Sequence, residues 1–209
     1  MKKAIIFDND GVLVNSEPLY FQATREMCAR LGVELSLTQF IECHIKSSKG
    51  TRELLKLSEE EYKLCRQWRT DRYADLLAGT DLTCEGIPEL IKELSEKYRL
   101  CIVTSSKKAH FDLIHKNSAY LKHFEFVISL EDVAESKPSP EPYLKALEQL
   151  SLHSKDCLIV EDSFRGLQSA IAAKVDCFIV KNEFSHFLDF SGALGVLDSI
   201  EELPAKIPN

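Results

Sequence analysis

Two carboxylates one residue apart, Asp8 and Asp10, end an apolar run in Phe7-Asp8-Asn9-Asp10-Gly11-Val12-Leu13. Acids this close repel unless a cation or a shared proton compensates, and an all-oxygen donor set suits magnesium. A second acidic pair, Glu161-Asp162, directly follows the run Cys157-Leu158-Ile159-Val160. Thr104-Ser105-Ser106 follows a third apolar run and precedes a helical pattern, so its hydroxyls and main-chain N–H groups suit a phosphate. Lys137, in Ser136-Lys137-Pro138-Ser139-Pro140, can place a positive charge on that phosphate and on the repelling acids. Each fragment also has a plainer use. An acidic turn closes many strands, Asp162 or Ser163 can cap the helix opened by Ser163-Phe164-Arg165-Gly166, and a lysine beside proline is ordinary in a solvated loop. Four acids at two strand ends fit the plainer uses less well.

The elements that must position these residues are legible in the hydrophobic pattern. Runs rich in Ile, Val, Leu, Phe and Cys at 3–7, 100–104, 124–129, 157–160 and 177–180 predict buried strands. Helical patterns at 88–97, 107–116, 140–150 and 164–173 separate most of them. This alternation predicts an α/β fold, a Rossmann-like and mainly parallel sheet with helices on its faces, whose ligands lie at the carboxyl ends of the strands. Gly11 lets the chain leave the first strand sharply. Between that strand and Gly86 lie helical patterns at 18–31, 51–57 and 59–77 and no convincing strand, so a helical cap is expected as an insertion. The expected division is 1–14 with 84–209 as core and 15–83 as cap. Ser58 before Glu59-Glu60-Glu61 marks a helix start inside it.

Composition narrows the partners. With 44% hydrophobic and 28% charged residues the chain is of ordinary globular type. A formal charge of -7 leaves no overall basic field for nucleic acid or an anionic membrane, so a small, locally guided substrate is expected. The seven cysteines are odd in number and never paired as C-x-x-C, which argues against a disulfide framework and a zinc site. No apolar run approaches the roughly 20 residues of a membrane span, and a cytoplasmic monomer or weak homo-oligomer is expected.

Taken in order, Asp8-x-Asp10-Gly11, Thr104, Lys137-Pro138 and Glu161-Asp162-Ser163 resemble the four motifs of the haloacid dehalogenase superfamily of phosphohydrolases. With Asn15-Ser16-Glu17-Pro18, their spacing is most similar to the branch holding β-phosphoglucomutase, phosphoglycolate phosphatase and small sugar-phosphate phosphatases. The resemblance implies that Asp8 is a nucleophile carrying an aspartyl phosphate and that Asp10 is the general acid and base. It further implies that Thr104 and Lys137 hold the phosphoryl oxygens, with Gly11, Ser105 and Ser106 beside them. Magnesium would be held by Asp8, the main-chain carbonyl of Asp10, and Asp162 helped by Glu161. Asp10 favours phosphate over carbon–halogen chemistry, because the dehalogenases lack an acid there.

The implied activity is magnesium-dependent hydrolysis of a small phosphomonoester, a sugar phosphate or related metabolite. Ser106-Lys107 resembles a phosphate-orienting pair of mutases and keeps a β-phosphoglucomutase-type reaction as the alternative. A non-catalytic phosphometabolite-binding protein is the reading from another class, and the presence of Asp8, Asp10, Lys137, Glu161 and Asp162 favours an enzyme over it. In the cap, Lys46, Lys49 and Arg52 suit an anionic substrate or serve as solvated helix-end cations, and Lys49 falls roughly where mutases carry an arginine for a second phosphate. Many relatives have a glycine where Lys46 falls, which weakens any transfer of substrate by analogy.

Overall fold

Successive residues of a strand point to opposite faces of its sheet, so a run that is apolar at every position must be covered on both sides. The computed structural model describes residues 1–46, 50–82, 84–185 and 187–208. These form two compact units, Met1–Asn15 with Leu82–Asn209, and Ser16–Asp81.

The larger unit is built on β1 (Ala4–Phe7), β2 (Arg99–Val103), β3 (Val127–Ile128), β4 (Cys157–Glu161), β5 (Asp176–Val180) and β6 (Gly195–Leu197). They form a wholly parallel sheet in the order β3-β2-β1-β4-β5-β6. The smaller unit carries α1 (Glu17–Arg30), α2 (Leu37–Phe40), a π-helical turn at Ile41–Lys46, α3 (Arg52–Leu55) and α4 (Glu59–Ala78). The larger unit continues with α5 (Ile87–Ser95), α6 (Lys108–Ile114), α7 (Glu141–Leu150), α8 (Phe164–Ala172) and α9 (Leu203–Lys206).

Strand alternation sorts the core. Ile5, Phe7, Leu100, Ile102, Leu158 and Val160 pack with Ile87, Leu90, Ile91 and Leu94 of α5 and Phe111 of α6. Their neighbours Ala4, Ile6, Cys101, Val103, Ile159 and Ile179 pack on the other face with Tyr143, Ala146 and Leu150 of α7 and Leu167 and Ala170 of α8. Register then sets the level of the chemistry. Phe7 pairs with Ile102 on one side and Val160 on the other, so Asp8 emerges level with Val103 and Glu161.

In the smaller unit α1 buries Ala23, Thr24, Met27 and Cys28, spaced as one helical face, and α4 buries Tyr62, Arg69, Tyr73 and Leu77. Arg72 of α4 grips Glu26 of α1 through Nε at 2.6 Å and Nη2 at 3.2 Å. Ser58 and Glu61 close a reciprocal capping box at the start of α4.

Several short elements depart from the sequence expectation, the π-helical turn and α9 among them. β3 occupies only two residues of the run at 124–129. β6 and α2 were not anticipated: β6 is three residues long with an exposed Val196, too short to show alternation, whereas α2 carries a legible Ser36–Gln39 capping box. All seven cysteines are free thiols. Among the described residues no helix is long and apolar enough to cross a membrane.

Because Ile91 is 0% exposed between α5 and the sheet, Ile91→Ala leaves a cavity and is expected to cost about 2–5 kcal/mol. Urea unfolding checks this. The midpoint should fall while the slope is unchanged.

Candidate active site

From β1 the chain adds β2 and β3 on one side of the sheet and then places β4 to β6 on the other, so β1 and β4 flank the point where the order reverses. Open α/β sheets bind ligands there, outside the carboxyl ends of the strands. Asp8 leaves β1 at this point, Glu161 is the last residue of β4, Thr104 follows β2, and Asn182 stands just beyond β5.

Lys137 ties these ends together. Its ammonium, 4% exposed as a residue, donates to Asp8 Oδ1 at 2.7 Å, Glu161 Oε1 at 2.6 Å and the Val103 carbonyl at 2.9 Å. The loop that presents it carries a cis Lys137–Pro138 bond, and Arg165 of α8 donates to the Lys137 carbonyl. Glu161 is wholly buried and takes donors on both oxygens. Tyr143 donates to Oε1 at 2.6 Å, and the Asp162 N–H, the Ser163 N–H and the Ser163 hydroxyl approach Oε2 at 3.2, 3.4 and 3.0 Å. A Cβ on Gly166 would lie 1.9 Å from the Glu161 carboxyl carbon, so this turn of α8 admits no side chain.

Asp8, Glu161 and Asp162 are all buried and offer oxygens within 4.8 Å of one another. Asn182 donates to Asp162 Oδ2 at 2.7 Å and holds that carboxylate from outside the cluster. Gly11 sits against the same group with φ at +79°, and a Cβ there would lie 2.1 Å from Asp162 Oδ2. The Asp10 carboxylate turns elsewhere. Its Oδ2 accepts from Ser106 Oγ at 2.8 Å, Thr104 Oγ1 at 3.2 Å and Asn9 Nδ2 at 3.3 Å.

The structure therefore brings Asp8, Asp10, Gly11, Thr104, Ser106, Lys137, Glu161 and Asp162 to one edge of the sheet. Ser105 is exposed, and Lys49 lies outside the described residues. Arg52, in the smaller unit, pairs with Glu59. Sequence reasoning missed Tyr143, Asn182, Asn9 and His115. Asn9 and Asn182, polar residues just past apolar runs, carried the signal that had marked the others; Tyr143 and His115 did not.

Charge is unbalanced at this edge, where three buried acids face one ammonium. Burial pushes Asp8 up to about 8, the nearby Glu161 adds to this, and Lys137 opposes it. Burial also works against Glu161, yet Lys137 and its other donors hold it below its usual range. The two acids thus move apart because Glu161 collects five donors and Asp8 principally one. Burial alone would lower Lys137, but Asp8 and Glu161 outweigh it and raise it.

A parallel α/β sheet with a carboxylate cluster and a buried lysine at its reversal point is the layout of an α/β enzyme with its site at the carboxyl ends of the strands. The family model described as haloacid dehalogenase-like hydrolase matches residues 5–180, and the chain belongs to that family. It is 30% identical to protein CbbY of Cupriavidus necator over 99% of this chain and 90% of that relative. It is 28% identical to the N-acetylmuramic acid 6-phosphate phosphatase of Pseudomonas aeruginosa, over 88% of this chain and 84% of that one. Among solved structures, a mutant CbbY from Rhodobacter sphaeroides in complex with xylulose 1,5-bisphosphate superposes with a TM-score of 0.85 at 25% identity over 100% of both chains.

A carboxylate with a raised folded-state pKa gives stability that is present below its unfolded value of 3.8 and is lost as pH rises through about 8. Asp8→Asn removes that loss. In chelator-treated protein its stability gain over wild type should be small near about pH 4 and grow to a plateau above about pH 8. Urea midpoints across this range check the sign.

Proposed function

We propose that this protein is a magnesium-dependent phosphatase that hydrolyses a small phosphomonoester, of sugar-phosphate type, through an aspartyl phosphate on Asp8. The observation that carries the reading is the buried Asp8 carboxylate, held by Lys137 and grouped with Glu161 and Asp162 at the reversal point of the sheet. The phosphorylated compounds named for the Pseudomonas phosphatase and the Rhodobacter CbbY complex support the substrate class.

The donor set fits magnesium: hard oxygen ligands, all buried, with more negative charge than Lys137 neutralises. Asp8, Asp162 and the main-chain carbonyl of Asp10 would hold the ion, with Glu161 supporting them. Such an ion supplies the positive charge that lets a carboxylate approach an anionic phosphate.

The chain's own residues do the rest. Asp8 attacks phosphorus while Asp10 gives a proton to the leaving alcohol oxygen, and Asp10 then takes a proton from the water that attacks the aspartyl phosphate. Thr104 and Lys137 meet the charge spread over the transferring group. Glu161 holds Lys137 and never needs to move. The chain's net charge of -7 agrees with a cytoplasmic metabolite enzyme that needs no nucleic acid or membrane partner.

Phosphate release from a panel of sugar phosphates, phosphoglycolate, nucleotides and an aryl phosphate, with magnesium or chelator, tests the reading. Release should require magnesium and vanish in Asp8→Asn; release that persists in either condition sinks it. Asp10→Asn should slow turnover by orders of magnitude, on the order of 100- to 10,000-fold for a lost acid–base group, while magnesium still binds. Glucose 1-phosphate with a bisphosphate primer separates the alternatives. Free phosphate supports hydrolysis, and conversion to the 6-phosphate supports a mutase.

A further inference from the structure

Asn9, between the two aspartates, is wholly buried, and so is nearly all of His115, which follows α6 directly. Buried amide and imidazole groups are costly when unpaired, so their partners matter. His115 Nε2 lies 2.6 Å from Asn9 Oδ1, and Asn9 Nδ2 lies 3.3 Å from Asp10 Oδ2. On its other side, His115 Nδ1 lies 2.9 Å from the Ser118 hydroxyl and 3.4 Å from that of Tyr120.

These contacts have one consistent direction. An amide oxygen only accepts, so Nε2 carries the imidazole proton and Nδ1 accepts from the hydroxyls. Asn9 then turns its NH₂ to Asp10. Burial holds His115 down to about 4 although Asp10 and Asp112 both act to raise it, so the ring is neutral near pH 7. Phe111 and Tyr120 pack against the ring with centroids at 4.4 and 5.7 Å and keep it in place. Donation thus runs from hydroxyl to imidazole to amide and ends on the Asp10 carboxylate.

We propose that Asn9 and His115 are positioning residues, a buried relay that fixes the Asp10 carboxylate in the orientation from which it exchanges protons with leaving group and water. The proposal rests on the reading of Asp10 as the acid and base. A chain of donors that ends on Asp10 orients it as outer partners orient metal-bound histidines and carboxylates elsewhere.

Kinetics of Asn9→Leu, His115→Phe and His115→Gln, run beside Asp10→Asn, test it. Asn9→Leu and His115→Phe should lower kcat about 10- to 100-fold with KM and the magnesium requirement unchanged. His115→Gln keeps an N–H donor and should recover most of that loss. Unchanged kcat in folded Asn9→Leu and His115→Phe, with Asp10→Asn inactive, overturns the relay and leaves the acid–base reading standing. Full activity in Asp10→Asn overturns that reading and the relay with it. Should Asn9→Leu and His115→Phe fail to fold, nitrogen NMR of wild-type His115 decides between about pH 6 and 8. A proton on Nε2 with Nδ1 bare supports the relay, and a proton on Nδ1 overturns it.

Discussion

One buried ammonium holds the working edge of this sheet together. At about 2.7 Å and an effective dielectric of about 20, each contact of Lys137 with Asp8 and Glu161 is an attraction of order 6 kcal/mol. Burying each ion costs several kcal/mol, so the attractions and the burial costs are of comparable size. What tips the site at Asp8 is burial, with Glu161 adding to it. Asp162 stands in the same cluster, and the single ammonium that satisfies Glu161 leaves Asp8 short of positive charge. The site is arranged around an electrostatic deficit among hard oxygens, a setting that suits a hard cation.

The packing around that deficit is unforgiving because its parts come from different strands. Lys137 can reach both acids because β1 and β4 are neighbours in register, with Phe7 opposite Val160. Glu161 can be wholly buried because Gly166 leaves room for its carboxylate and Tyr143 supplies a hydroxyl from α7. Asp162 stays aimed because Asn182 grips its Oδ2 and Gly11 presents no side chain to crowd that same oxygen.

Much of this was legible because the chemistry sits where hydrophobicity stops. Asp8, Thr104 and Glu161 each mark the end of an apolar run, and in a parallel sheet those ends share one edge. Lys137 was legible by its place in a motif, and so was its charge on the repelling acids; the Val103 carbonyl it also meets was not, because that contact depends on register. Asn9 looked like a spacer between two acids, and nothing local ties it to His115, more than a hundred residues away. Tyr143 reads as an ordinary apolar helix position, since its hydroxyl matters only once Glu161 lies beneath it. β6 escaped because three residues cannot display a period.

The hydroxyls of Thr104 and Ser106 already rest on Asp10 before any ligand arrives. A tetrahedral anion that uses them must take them from a carboxylate, so what it gains is only the difference between two sets of hydrogen bonds. To such an anion those hydroxyls would offer the difference between two acceptors, and so shape discrimination beside whatever charge they meet. On release of such an anion Asp10 would be the acceptor to which they return, so no bare donors would be left to cling to a departing product.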